Sequence, residues 1–234
     1  MTSNPLVIGN ILSDYVDFST ISWEKVWEAT KQTLFMTIFS VIAVFILGIL
    51  LGLLLYETQK SDNIMAVVLY KIVAFLVNVF RSIPFIILIV LLIPFTKALV
   101  DSITGPAAGL PALIFSASPF YARLVESGFR EVDKGVIEAA ESMGASKWEV
   151  IRKVYIPESL PNIISGITVT AISLVGYTAM AGVIGAGGLG NLAFLEGFQR
   201  SRPAVTLVST IIILLIVFII QFIGDLSVKK IDKR

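Results

Sequence analysis

The chain contains no histidine and no cysteine among its 234 residues. Thiolate nucleophiles, disulfides, iron–sulfur ligation, histidine metal sites and histidine proton relays are therefore outside its chemistry. Serines are present, but no nucleophile–base pairing stands out. No lysine-bearing P-loop occurs either, so any ATP hydrolysis must belong to a partner. Three groups of residues remain that could do something specific. They are the glycine-rich run GVIGAGGLGN at 182–191, the tetrad Arg81-Ser82-Ile83-Pro84 inside an apolar stretch, and EAAESMGASKWEVIRKVYIP from Glu138 to Pro157.

In the first group Gly185, Gly187 and Gly190 match G-x-G-x-x-G. As a dinucleotide fingerprint that pattern needs a strand before it, a crossover helix after it and an acid about 20 positions on. Here it follows a long apolar segment and Glu196 arrives too soon. A tight or re-entrant turn buried in protein, near the outer end of a pore, is expected instead. The third group is punctuated like two helices meeting at a corner. Val132, Val136, Ile137, Ala140 and Met143 recur at helical spacing, and Gly144 stands where a helix end takes left-handed backbone. Ser146 and Glu149 then form a capping box, Trp148, Ile151 and Val154 an apolar edge, and Pro157 is expected to stop the second helix. The pair should stand outside the membrane between two apolar segments.

The elements that must carry these groups are set by composition. With 56% apolar and 15% charged residues the chain reads as a membrane protein, and its net charge of +1 argues against nucleic acid as a partner. Leu34 to Leu55 is an uncharged span of sufficient length, with Gly48 and Gly52 forming a small-xxx-small packing face. Glu57 to Asp62 is a polar turn. Ile64 to Thr96 is a second apolar element, broken at Ile83–Pro84, with its charges toward one end. Arg81 either snorkels, from a place near the cytoplasmic face, or marks a functional cavity. Dense glycine and proline from Gly105 predict a loop to about Pro111 and a span after it, on which Ser116, Ser118 and Tyr121 carry hydroxyls. Asn162 to Ile184 and Pro203 to Gly224 complete five spans.

Residues 1 to 30 lack a basic n-region followed by an apolar h-region, so the first span is expected to direct insertion. Trp23 and Trp27 suit a short helix at the membrane surface. Lys60, Arg123, Arg130, Lys134, Lys147, Arg152, Lys153 and the basic tail then fall on one side. Lys25, Lys31, Lys97, Arg200 and Arg202 fall on the other. The positive-inside rule orients the chain with its N-terminus outside and its C-terminus in the cytoplasm.

Glu138, Ala139, Ala140, Gly144, Val154, Ile156 and Pro157 resemble the EAA loop of the membrane subunits of bacterial ABC importers, with Val154 and Ile156 as conservative departures. FRSIPFIIL at 80–88, Leu174 to Tyr177, GAGGLGN and IIQFIGD at 219–225 are similar to the permease subunits of methionine-import ABC transporters, from about Ala29 to Asp225. The resemblance implies an all-α membrane protein with the type I ABC importer permease fold: five transmembrane helices and a cytoplasmic coupling-helix pair. It implies an N-terminal segment 1–28, a transmembrane domain 29–225 and a basic tail 226–234. It implies a homodimer in the bacterial cytoplasmic membrane, a cytoplasmic ATPase subunit dimer and a substrate-binding lipoprotein. ATP and Mg would be held by the ATPase, with no cofactor, metal or catalytic residue on this chain. Glu138, Ala139, Ala140, Gly144, Trp148, Ile151 and Pro157 would couple to the ATPase. Arg81, Ser82, Pro84, Tyr177 and Met180 are candidates for the translocation path or gate. An importer of another small solute, a secondary carrier and a channel remain as alternatives, although no acid needs to be placed inside a span and no ring of pore charges is identifiable.

Overall fold

A computed structural model describes residues 14–231, so the first part of the N-terminal segment and Asp232, Lys233 and Arg234 of the tail lie outside the described residues. The described residues are helical with no strand among them, and five helices are long and apolar enough to cross a membrane. Helix α1 is Trp23–Gln59, α2 Ile64–Ser82, α3 Phe85–Leu91, α4 Ile93–Val100 and α5 Pro106–Arg130. Helices α6 (Lys134–Ser142) and α7 (Lys147–Val150) are short, and a wide-wound stretch Ile151–Tyr155 joins α7 to α8 (Ile156–Ala181). After a kinked turn at Gly182–Ala186 come α9 (Gly188–Leu192), a wide-wound stretch Ala193–Gln199 and α10 (Pro203–Ile231).

Three boundaries differ from the sequence expectation. Trp23 and Trp27 form no separate surface helix but open α1, because no residue between them and Leu34 breaks the helix. Both indoles remain exposed. The expected loop ends at Gly105 rather than Pro111. Pro106 occupies the first helical position, where the missing amide costs nothing, and the helix runs on through Pro111 and Pro119. Pro157 does not stop the second helix of the polar pair, nor does the next span wait for Asn162. Val150 and Ile156 keep right-handed helical backbone (φ −61°, ψ −44° and φ −64°, ψ −50°), so α7 continues directly into α8. The Ile156 amide reaches back five residues to the Ile151 carbonyl. Widening the helix one turn before Pro157 accommodates the ring and its absent donor without a break.

The backbone divides into two compact units. One comprises the described residues up to Ser40 with Phe85–Leu113 and Ser173–Ile219. Its core gathers Met36, Leu113, Leu189 and Ala204, all fully buried or nearly so. The glycine-rich run belongs to this unit and is a tight turn packed on α1, as expected. The Gly188 amide donates to Gln32 Oε1 at 2.8 Å and the Leu189 amide to Thr33 Oγ1 at 2.9 Å. Gly188 has φ +84°, and a Cβ there would meet Thr33 Oγ1 at 2.7 Å, so both backbone and space require glycine.

The other unit comprises Val41–Pro84, Ile114–Ile172 and the described residues from Ile220 on. Lipid tails are as apolar as leucine, so its helices associate by close packing and internal hydrogen bonds rather than by the hydrophobic effect. Gly48 lies against the Tyr121 ring, and a Cβ on Gly52 would meet the Ala122 carbonyl and Val125 at 2.8 Å, which brings α1 onto α5. The small-xxx-small face therefore packs within the chain. The buried Tyr121 hydroxyl donates to the Ile163 carbonyl at 3.1 Å and ties α5 to α8.

Candidate functional site

The polar pair lies wholly in the second unit. Asp133 caps α6 by accepting the Gly135 amide at 2.6 Å, and Ile137 and Ala140 face inward. The α6 helix ends as anticipated on Gly144, at φ +83°, and its amide donates to the Glu141 carbonyl at 2.9 Å. Ser146 and Glu149 close the capping box, with the Ser146 amide donating to Glu149 Oε2 at 3.1 Å. Lys153 adds an ion pair to Glu149 at 3.0 Å.

Among the expected coupling residues, Glu138, Ala139, Gly144, Trp148 and Pro157 are exposed on this one element, and Ile151 is half-buried. Ala140 instead faces the core, 9% exposed. The apolar edge also divides. Val154 joins Val150 and Tyr155 inside, whereas Trp148 is 65% exposed. Val136 and Met143 point outward too, Met143 at 82% exposure. Met143 and Trp148 thus form an apolar surface across the Gly144 corner with Glu138 and Ala139 on the same helix pair. A surface of this kind on an otherwise polar element suits docking.

Behind the corner is a cleft of about 330 Å³ lined by Glu57, Lys60, Lys134, Glu138, Glu141 and Lys147. Lys60 Nζ lies 4.2 Å above the Tyr56 ring and donates to both the Tyr56 hydroxyl and, at 3.2 Å, the Tyr155 hydroxyl. This joins the end of α1 to the base of the α7–α8 rod. Tyr155 meets Tyr56 and Phe129 edge to face around it, with Tyr56 and Tyr155 centroids 5.0 Å apart, and Tyr56 and Phe129 are tilted against each other. Sequence reading missed this brace, since nothing in the spacing of residues 56, 60 and 155 joins them.

It also missed Glu126. This carboxylate is 2% exposed and receives Arg123 at 2.7 Å and Arg130. Arg123 reaches Asn78 Oδ1 on α2 at 3.2 Å, and Arg130 reaches Gln59 Oε1 on α1 at 2.6 Å. The i, i+3 and i, i+4 spacing of charges in an apolar helix was a legible signal for it.

The pathway candidates fall in different units and are described in turn. Arg81 and Ser82 occupy the last turn of α2, and Ile83 is extended at φ −78°, ψ 124°, as the following proline demands. All three of Arg81, Ser82 and Pro84 are exposed. Arg81 stands three residues after Asn78, which receives Arg123 of the Glu126 cluster at 3.2 Å. It lies about 27 Å along α2 from the Asn63 cap at 1.5 Å per residue. Beside it the Phe80 ring meets Phe115, 5.7 Å away near the middle of α5. Lys71 sits partway along the same helix, and Phe85–Leu91 beyond the break carries no charge. In the first unit the Tyr177 ring stacks on Phe85 at 4.9 Å and 10°, and Met180 is exposed. Glu196 there gathers Lys25 (2.7 Å), Arg200 (2.7 Å) and Arg202 (3.4 Å). The Lys25 hydrogen bond first, then that of Arg200, hold its carboxyl below the ordinary range.

Five candidate spans and a capped polar pair with an exposed apolar corner form a pattern with known counterparts. Residues 45–234 match the family described as binding-protein-dependent transport system inner membrane component. The chain belongs to this family. A relative from Bacillus subtilis (strain 168), the methionine import system permease protein MetP, is 61% identical over 93% of this chain and 98% of its own length. A probable D-methionine transport system permease protein from Pasteurella multocida is 41% identical over 91% of this chain and 98% of its own. Among solved structures, the MetNI methionine ABC transporter in inward-facing conformations has a chain that superposes with TM-score 0.86 at 40% identity, covering 90% of this chain and 98% of that one. The fold is that of an ABC importer permease, with the five spans and polar pair of this family.

Proposed function

We propose that this chain is the permease subunit of an ATP-driven methionine importer, working as a homodimer with a cytoplasmic ATPase dimer and a substrate-binding lipoprotein. The 61% identity to the Bacillus subtilis methionine permease, sustained over 93% of the chain, carries the cargo assignment. ATP and Mg belong to the ATPase, and this chain contributes no catalytic group. Its N-terminus lies outside and its C-terminus in the cytoplasm, the orientation favoured by the basic residues of the polar pair and tail.

In this mechanism the Gly144 corner docks on the ATPase, with Met143 and Trp148 supplying apolar contact and Glu138 charge. Closure of the ATPase dimer on ATP moves that corner. A floppy connection would absorb the movement, but α7 runs without a break into α8, so displacement at Trp148 is displacement of a span. The Lys60 brace passes the same movement to α1.

The test is uptake of labelled L-methionine by cells lacking their own importer, supplied with this chain and its ATPase and lipoprotein. ATP-dependent uptake that unlabelled methionine competes is expected. Absence of uptake, with the chain still co-purifying with the ATPase, would overturn the cargo and leave the coupling. Loss of co-purification as well would overturn both.

A further inference from the structure

We propose that the cleft behind the Gly144 corner holds the headgroup of a zwitterionic phospholipid, with its ammonium on Glu57 and Glu141 and its phosphate on Lys60, Lys134 and Lys147. The site is independent of the cargo, since it takes a membrane lipid and not the transported solute.

The observation behind it is a set of opposite charges that share a cleft without pairing. Glu57 and Lys60 come from the end of α1 and the turn after it, Lys134, Glu138 and Glu141 from α6, and Lys147 from α7, around a space of about 330 Å³. Among the described residues the side chains of Glu57, Glu138, Glu141, Lys134 and Lys147 make no hydrogen bond or ion pair. Lys60 directs two of its three donors to Tyr56 and Tyr155 and keeps one. Elsewhere on the same helix pair such charges do meet, as Lys153 meets Glu149 at 3.0 Å. In the cleft they stand apart across a gap of the size that small ligand groups fill. The carboxylates and ammonium groups lining it are equal in number, so a simple anion or a simple cation would answer only one set. A group that answers both carries an ammonium and an acid a few bonds apart.

Position points to a lipid as its source. The uncharged run from Leu34 to Leu55 covers about 33 Å at 1.5 Å per residue, against a hydrocarbon thickness of about 30 Å, so its ends lie at the two membrane surfaces. Glu57 and Lys60 follow that run by about 3 to 8 Å, which is the depth of one headgroup layer. Tyr155, which closes the cleft, stands just before the uncharged stretch 159–195, and tyrosine favours the same level. Met143 and Trp148, the apolar contact proposed for the ATPase, do not line the cleft. Charged pockets at this level are suited to lipid headgroups.

The complex of the chain with its ATPase is purified from bilayers containing phosphatidylethanolamine, phosphatidylcholine and phosphatidylglycerol in equal amounts, and native mass spectrometry counts the phospholipids it keeps. One phosphatidylethanolamine per permease chain is expected, in about tenfold preference over phosphatidylcholine, whose quaternary nitrogen has no hydrogen to donate to a carboxylate. Phosphatidylglycerol, which has no ammonium, should be kept as poorly. E57Q/E141Q should lose the preference, whereas K134Q should lower retention of the ethanolamine and choline lipids together. D62N, at an exposed acid of the polar turn outside the cleft, should change neither. Equal retention of the two zwitterionic lipids by the wild type, or a preference that survives E57Q/E141Q, would overturn the proposal. Displacement of the lipid by free L-methionine would overturn it too, giving the cleft to a soluble amino acid. Retention by the isolated chain but not by the complex would give the cleft to a segment of the ATPase instead.

Discussion

At the scale of single residues, the consequential groups are those whose charge or backbone has no inexpensive alternative. Glu126 is the clearest. Its carboxylate is buried and its two arginines extend to α1 through Gln59 and to α2 through Asn78. Breaking one side of a buried ion pair costs more than the pair contributes, because the remaining charges keep their desolvation penalty. E126Q should lower stability by about 3 kcal/mol, read as a lower thermal midpoint of the purified chain in detergent. An unchanged midpoint would show that the arginines relax to water and that the cluster is not a joint. Glu126 could have been suspected from charges three and four apart in an apolar helix. Ala140 could not have been excluded from the docking surface that way, because helical spacing identifies a stripe but not which stripe turns inward.

At the scale of elements, the helix pair shows local rules working and then being overridden. Capping chemistry is local, so Asp133, Gly144 and the Ser146–Glu149 box form where the residues predict. Pro157 is the exception. Its local rule demands a stop, but the chain widens at Ile151–Tyr155 and stays helical, because Val150, Val154 and Tyr155 are packed inside and hold the rod in line. The corner is where coupling should be most sensitive. G144A meets open space but forces a side chain into φ +83°, at a cost of about 1 to 2 kcal/mol. S146A removes the cap at a cost of about 1 kcal/mol. Each should weaken ATPase association about fivefold to tenfold in a pull-down titration, from the conversion of 1.4 kcal/mol to tenfold. Both variants should still insert as five spans. Wild-type association by both would mean that the corner's shape does not matter to docking.

For the whole molecule, orientation is the property with the most direct test. The N-out, C-in arrangement predicts that the single-cysteine variant S19C reacts with an impermeant thiol reagent in intact cells, whereas K229C reacts only once the membrane is permeabilised. Labelling of both from one side would contradict five crossings. The number of spans, the membrane class and the absence of histidine and cysteine chemistry follow from the sequence alone, because composition and apolar run length are additive properties that no packing can alter. The polar corner follows as well, since caps and a left-handed glycine depend on neighbours only a few residues apart. Tertiary structure decided the rest. It set Glu126 between two arginines and Lys60 against Tyr155, contacts between residues far apart in the chain that no local pattern encodes. It also set Phe80 of α2 against Phe115 and Asn78 against Arg123, contacts with α5 that depend on how the two helices cross.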